Sequence, residues 1–176
     1  MPNANEDKPR ELSQAQRRAV SELLRVSPAA DDLARRFEEA GHSLALVGGS
    51  VRDALLGRLG NDLDFTTDAR PEQVLRLVRP WADAVWEAGI AFGTVGCQKR
   101  AVVEGEEVTF EIEITTYRSE AYDRTSRKPE VSYGDSIEDD LVRRDFTVNA
   151  MAVALPQKTF IDPYGGLEDL SAQVLR

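Results

Sequence analysis

The stretch Leu44-Ala-Leu-Val-Gly-Gly-Ser-Val-Arg-Asp-Ala-Leu-Leu-Gly-Arg-Leu-Gly-Asn-Asp-Leu-Asp-Phe-Thr66 decides how the chain is read. Leu44 to Val47 is a short apolar run and predicts a buried strand. Gly48, Gly49 and Ser50 follow as a turn. Val51, Leu55 and Leu56 then recur at helical spacing, and Gly57 stops the helix. A second strand carries Asp62 and Asp64. The two are two residues apart, so on a strand both project from the same face.

Each piece has a physical use around a phosphate-bearing ligand. Glycines at 48 and 49 let the backbone approach without Cβ interference and take up φ > 0. The helix they open presents unpaired N–H groups and a positive dipole end. Arg52, one turn in, offers a charged fork to a phosphate oxygen. Two neighbouring carboxylates repel each other unless a cation lies between them. Hard oxygen ligands suit Mg²⁺, which takes one or two carboxylates plus substrate phosphates. Other readings of the same residues fail. An EF-hand starting at Asp62 would need Gly at Thr67 and Glu at Gln73. A P-loop would need Gly-Lys-Ser/Thr after the glycines. A serine-hydrolase elbow at Gly48-Gly-Ser-Val-Arg52 lacks its second flanking glycine. His42, before the first strand, reads as a helix-end or surface residue.

The 176 residues suffice for one domain with a sizeable core, and 41% apolar with 30% charged is ordinary for a soluble globular protein. No apolar run approaches the ~20 residues of a membrane span. Met1 to Glu11 is polar, lacks an apolar signal core and is expected to be a disordered tail. The single Cys97 excludes an internal disulfide, suits a reducing cytoplasm and reads as a core or sheet residue. A net charge of −9 argues against a protein that clamps nucleic acid over its whole surface, while leaving room for a local basic groove. Nothing in the sequence reports the oligomeric state.

Two amphipathic helices precede the central stretch. Leu12 to Val26 has apolar residues at 12, 15, 19, 20, 23 and 24, with Ser13 as N-cap. Pro28 opens the second, which runs to Ala40 with Gly41 as C-cap and Leu33, Ala34, Phe37 and Ala40 as its apolar face. Arg17-Arg18 and Arg35-Arg36 are placed on solvated faces. Further on, a helix starts at Pro71, runs to about Val78 and is ended by Pro80. Ala84 to Trp86 and Phe92 to Arg100 predict strands, and Glu104-Gly-Glu a hairpin turn to a strand over Val108 to Tyr117. There Phe110, Ile112 and Ile114 share one face; Glu111, Glu113 and Thr115 share the other. A carboxylate of this strand faces Asp62 and Asp64 if the strands are neighbours. Residues 118–135 are polar and aperiodic and predict a mobile loop. Ser136 begins a helix with Glu138, Asp139 and Asp140 in its first turns. The run Arg143-Arg-Asp-Phe-Thr-Val-Asn149 is read with its two arginines pointing apart on a helix, one toward a ligand and one toward an acid. Ala150 to Ala154 continues as helix or strand. Phe160 to Gly166 reads as a turn, and a short helix runs from Leu167 to the end.

These residues carry a family. Leu46-Val-Gly-Gly-Ser-Val-Arg-Asp53, Asn61-Asp-Leu-Asp-Phe-Thr66, Glu113-Ile-Thr-Thr-Tyr-Arg118, Asp140-Leu-Val-Arg-Arg-Asp-Phe-Thr-Val-Asn-Ala-Met151 and Asp162-Pro-Tyr-Gly-Gly166 occur in order. With them the chain resembles the catalytic head domain of the class II tRNA nucleotidyltransferases, the CCA-adding enzymes, and the similar bacterial poly(A) polymerases, over about Leu44 to Leu170. The resemblance implies an α+β (mixed α/β) nucleotidyltransferase fold: a small, mostly antiparallel or mixed sheet backed by helices. It implies transfer of CMP or AMP from CTP or ATP to the 3′ end of tRNA, with Mg²⁺ as cofactor, in the cytoplasm. Carried over by position, Asp62 and Asp64 would hold the metal, with Glu113 as third catalytic carboxylate. Gly48, Gly49, Ser50, Arg52 and Arg143 would bind the nucleotide, while Asp145 and Asn149 would organise the site. The expected division is a tail over 1–11, N-terminal helices over 12–42, the head over 43–170, and the start of a helical neck over 171–176. A chain stopping there is expected to hold Mg²⁺–nucleotide weakly, to add little to tRNA and not to discriminate bases. The rivals are poly(A) addition, a nucleotide-binding module without catalysis, and a metal-dependent glycosyltransferase, the last leaving the Arg143–Ala150 motif unexplained.

Overall fold

The computed structural model describes residues 12–118, 133–134, 136–173 and 175–176. The expected disordered tail over 1–11, most of the expected loop over 118–135, and residue 174 lie outside the described residues.

Strand β1 (Leu44–Val47) is apolar along its whole length because it is buried on both faces. On one side it pairs antiparallel with β2 (Asp62–Thr67), on the other with β6 (Ala152–Leu155). β2 in turn pairs in parallel with β5 (Glu106–Thr116). The 10-residue β4 (Thr94–Val103) makes a long hairpin with β5 through Glu104 and Gly105, both at positive φ. That is the two-residue turn whose twist suits a hairpin. With β3 (Ala84–Trp86) and β7 (Thr159–Ile161) at the edges, one seven-stranded mixed sheet runs β3-β4-β5-β2-β1-β6-β7. The expected mixed sheet is what forms.

Alternation then sorts the side chains. Leu44, Leu46, Leu63, Phe65, Val95, Cys97, Phe110, Ile112 and Ile114 all enter one large core. That core is capped by α1 (Gln14–Arg25), α2 (Pro28–Glu39), α3 (Gly49–Leu55) and α4 (Pro71–Val78), whose Leu23, Leu33, Phe37, Val51, Val74 and Val78 belong to it. Ser13 caps α1 with a reciprocal Gln16 capping box. On the opposite face the cover is local. Ala45, Val47, Ala150 and Ala152 pack with Leu141 of α5 (Ile137–Leu141), over the β1–β6 end alone. The sheet is therefore backed fully on one side and half-covered on the other. Asp62, Asp64, Glu111 and Glu113 project on the half-covered side.

Several expected details change. Ala15 and Ala40 are exposed, because each falls outside the buried stripe of its helix. Arg36 is not simply solvated: its Nε donates to the Leu77 carbonyl at 3.2 Å. β4 begins at Thr94 rather than Phe92, since Ile90–Phe92 form a 3₁₀ turn closed by Gly93 at φ 81°. Arg143 and Arg144 are not helical; α5 ends at Leu141, and Thr147–Asn149 form another 3₁₀ turn. Thr159–Ile161 is a strand, not part of the turn, and pairs with β6. The last helix, α6 (Gly166–Ser171), stops short of the terminus. No helix among the described residues is long and apolar enough to cross a membrane.

α6 lies against the Thr147–Asn149 turn at backbone distance. A Cβ on Gly166 would stand 2.1 Å from the Thr147 carbonyl oxygen and 2.8 Å from Met151 Cγ. The Gly166 N–H is also tied to Asp162 Oδ1 at 2.7 Å. Gly166→Ala should therefore cost about 2–3 kcal/mol of overpacking, read as a lower urea midpoint. An unchanged midpoint would contradict this packing.

Candidate functional site

The register across the open face is the basis of the site. Asp62 lies opposite Glu111 and Asp64 opposite Glu113, so the aspartates of β2 and the glutamates of β5 form two adjacent like-charged pairs. Asp62, Asp64, Glu111 and Glu113 line one cleft of about 570 Å³, together with Trp86, Gly89, Thr94 and Gly96. Among the described residues no three His, Cys, Asp or Glu side chains close into a metal-binding group by themselves. The donor set is hard oxygen on one open face, which suits a cation that keeps water and substrate oxygens as further ligands.

The electrostatics of Asp64 record the crowding. Burial, then the Glu113 charge, raises its carboxyl above the usual carboxylate range; Asp62 adds to this and Arg144 opposes it. Burial penalises the charged form, and neighbouring anions penalise it again.

Beside the carboxylates, the turn before α3 is built around arginines. Gly48 sits at φ 64°, ψ −133°, a conformation costly for any residue with a Cβ. A Cβ there would stand 3.0 Å from Arg144 Nη1, and one on Gly49 would stand 3.3 Å from Arg52 Nη2. Each glycine thus leaves room for one guanidinium. Arg52 Nη1 donates to Asn149 Oδ1 at 2.8 Å and its Nε to Asp53 Oδ1 at 3.1 Å. Arg144 Nη2 donates to Asp140 Oδ2 at 3.2 Å, while its Nε is buried without a hydrogen-bond partner. Asp140 is only 5% exposed, and Arg144 holds it from the turn after α5. α3 has seven residues, so its dipole is short and the two guanidiniums carry most of the positive charge.

Ser50 does something the sequence did not reveal. Its Oγ–H donates to the Asp62 carbonyl at 3.2 Å, and the same Oγ accepts the Asp64 N–H at 3.0 Å. The hydroxyl binds the glycine turn to the aspartate strand and sets the spacing between cationic and anionic halves. Ser50, Gly49, Asp62 and Asp64 also line a smaller recess of about 180 Å³.

Arg143, to which the family resemblance assigned a nucleotide contact, is exposed on the turn; its neighbour Arg144 faces Gly48. The residues between Leu141 and Thr147 leave the helix, and on a turn the helical rule for which arginine faces inward no longer holds. Burial, then the Arg143 charge, lowers the pKa of Arg118, which places these two cations near each other. Asp145 is exposed. The Asp140–Arg144 pair was legible only as an i,i+4 acid–base spacing in the motif. His42 lies outside the site, its Nδ1 3.2 Å from Asp68 Oδ1. Cys97 is a fully buried thiol of β4, its pKa pushed up to about 12 by burial and the Glu111 charge.

A stability test follows from Asp64. Its folded pKa exceeds the unfolded value of about 3.9, so the folded state binds the proton more tightly. Stability therefore falls as pH rises from the unfolded toward the raised folded value, and stays lower above it. In chelator-treated protein, Asp64→Asn should raise Tm by about 2–4 °C at neutral pH, on the order of 1 kcal/mol. The gain should vanish near pH 3.5. A lower Tm at neutral pH would contradict the crowding.

Comparison with known proteins agrees with the geometry. A family model described as the poly(A) polymerase head domain matches residues 44–176. The CCA-adding enzyme of Bacillus subtilis (strain 168) is 40% identical over 139 residues, 78% of this chain and 32% of that protein. The CCA-adding enzyme of Streptococcus pneumoniae serotype 19F (strain G54) is 43% identical over 142 residues, 80% of this chain and 32% of that protein. The crystal structure of the Bacillus stearothermophilus CCA-adding enzyme with CTP superposes with a TM-score of 0.66 at 33% identity, covering 85% of this chain and 33% of that one. A tRNA nucleotidyltransferase complexed with a primer tRNA and an incoming ATP analog gives 0.61 at 32% identity, over 82% of this chain and 38% of that one. The chain spans about a third of the length of the curated relatives it matches. On the family match and the similarity together, the chain belongs to the head-domain family of the poly(A) polymerases and CCA-adding tRNA nucleotidyltransferases.

Proposed function

We propose that the protein transfers a nucleoside monophosphate from CTP or ATP to the 3′-hydroxyl of tRNA, in CCA addition, with Mg²⁺ as cofactor. The observation that carries this reading is one hydroxyl, Ser50, fastening an arginine-lined glycine turn to a strand of crowded carboxylates. A triphosphate with its cation is complementary to that juxtaposition. Relatives solved with CTP, or with a primer tRNA and an ATP analog, support it.

Asp62 and Asp64 would hold Mg²⁺ through carboxylate oxygens that otherwise repel each other. When bound, the ion makes the 3′-hydroxyl easier to deprotonate and offsets charge on the leaving pyrophosphate. Gly48 and Gly49 seat the Arg144 and Arg52 guanidiniums beside the turn, these supply forks for the triphosphate oxygens, and Ser50 holds the turn in place. Arg143, further out, contributes charge at the rim, and Glu113 adds a third negative charge next to Asp64. In the transfer, a bond forms from the 3′-oxygen to the α-phosphorus, the bond from that phosphorus to pyrophosphate breaks, and the hydroxyl proton passes to solvent. Positioning and charge stabilisation supply most of the catalysis.

Residues 43–170 form the transferase head, backed by the helices over 12–42, and residues 171–176 lead toward a neck. The side chains assigned here address phosphate and cation rather than the base, so the site binds Mg²⁺–CTP and Mg²⁺–ATP similarly. The activity belongs to the cytoplasm, where tRNA, CTP and ATP meet. A second reading, AMP addition to RNA 3′ ends, is favoured by the matched family model, a poly(A) polymerase head domain.

Calorimetry of Mg²⁺–CTP and Mg²⁺–ATP should give affinities within about threefold of each other. Arg144→Ala should weaken both by about 10- to 100-fold, as loss of a charge-assisted hydrogen bond, with Arg143→Ala doing much less. Asp62→Ala or Asp64→Ala should abolish pyrophosphate release from CTP plus ATP on tRNA lacking its CCA end. Transfer surviving in both aspartate variants would refute the reading. Extension with ATP alone into a homopolymer would favour the second reading.

A further inference from the structure

One end of the carboxylate cleft has no role in the reading above. Trp86 on β3 lies opposite Gly96 on β4, Gly96 lies opposite Glu113 on β5, and Glu113 lies opposite Asp64 on β2. The four residues make a single row across the open face. At about 4.8 Å between strands, the Trp86 backbone stands about 14 Å from that of Asp64. Gly96 leaves a notch in the row, and the indole leans into it: Trp86 Cε3 would be 3.5 Å from a Cβ on Gly96. Trp86 remains 44% exposed, although large aromatics usually gain by burial. It closes the far end of the 570 Å³ cleft, opposite the end where the carboxylates stand.

In-line transfer fixes which reactant comes from that side. The arginine turn that takes the triphosphate lies toward β1 and β6, so pyrophosphate leaves in that direction. The attacking 3′-oxygen must approach the α-phosphorus from the opposite direction, which is the β5–β4–β3 side. The charged side chains lining the cleft are the four carboxylates of β2 and β5, between Trp86 and the arginine turn, so RNA phosphates are repelled from it and the favourable contact left for a nucleotide on the Trp86 side is its base. We propose that Trp86 is a positioning residue whose indole stacks on the base at the 3′ end of the acceptor RNA and holds its 3′-hydroxyl toward the Asp64 end of the cleft. This rests on the nucleotidyl-transfer reading. Stacking is tolerant of base identity because every base has a π-face, which suits an acceptor end that changes with each addition.

The chain has two tryptophans, Trp81 and Trp86. Trp81 packs under Lys99 at 5.0 Å, away from the cleft lining. In Trp81→Phe protein, emission reports Trp86 alone. Short single-stranded RNA ending in a 3′-hydroxyl, added with Mg²⁺ and a non-hydrolysable CTP analogue, should quench it saturably. Because stacking carries no charge, the affinity should depend only weakly on salt. By anisotropy of labelled RNA, Trp86→Leu should bind on the order of 5- to 150-fold more weakly. Trp86→Phe should recover much of that loss, and CTP affinity should stay unchanged in both. Unquenched Trp86 emission, or equal RNA binding by Trp86→Leu and the parent, while CTP still binds in an Asp64-dependent way, overturns the stacking role and leaves the transfer reading intact. Absence of Asp64-dependent CTP binding removes the transfer reading and the stacking role together.

Discussion

Like charges held side by side on β2 and β5 are the constraint to which the rest of the molecule answers. A parallel pairing that sets Asp64 against Glu113 and Asp62 against Glu111 is unfavourable in isolation. It persists because the other faces of the same strands put Leu63, Phe65, Ile112 and Ile114 into the main core. Burying each such side chain is worth about 1.5–3 kcal/mol, more than the repulsion costs on a face open to water. The core thus holds in place a cluster of anions that the protein leaves without equal countercharge. That stored repulsion is the feature on which the proposed cation site rests.

The same logic explains why the cations stand where they do. Arg52 and Arg144 come from segments far apart in sequence and meet at two adjacent glycines, Arg52 held by Asn149 and Asp53 and Arg144 by Asp140. Ser50 bonds both to the Asp62 carbonyl and to the Asp64 N–H, so the glycine turn cannot drift from the aspartates. The half-covered sheet face follows from the same packing: α5 shields the β1–β6 end, while residues of β3, β4 and β5 line the open cleft.

Much of this was legible in the sequence because it depends on short-range rules. Strand alternation paired Asp62 with Asp64 and Glu111 with Glu113, each pair on one face of its strand, the β2–β5 pairing then brought the two pairs together, and glycines 48, 49 and 57 punctuated a helix at the expected places. What was not legible depends on tertiary choices. Helical spacing between Arg143 and Arg144 says nothing once the chain turns after Leu141, so which arginine faces Gly48 is decided by the buried Asp140. The hydroxyl of Ser50 looked like a ligand contact, and its bonds to β2 depend on β1 and β2 being neighbours. β7 escaped notice because three residues beside Asp-Pro carry too little periodicity to separate strand from turn.

The central claim is that the β2 carboxylates and the arginine-lined glycine turn jointly hold a cation-bound triphosphate. Crystals grown with Mn²⁺ and a non-hydrolysable CTP analogue test it directly through anomalous scattering. The account predicts an anomalous peak between the Asp62 and Asp64 carboxylates, with phosphate density against Gly48, Gly49 and Arg144. Manganese bound elsewhere while those carboxylates face only solvent, or a triphosphate seated away from the glycine turn, would contradict it.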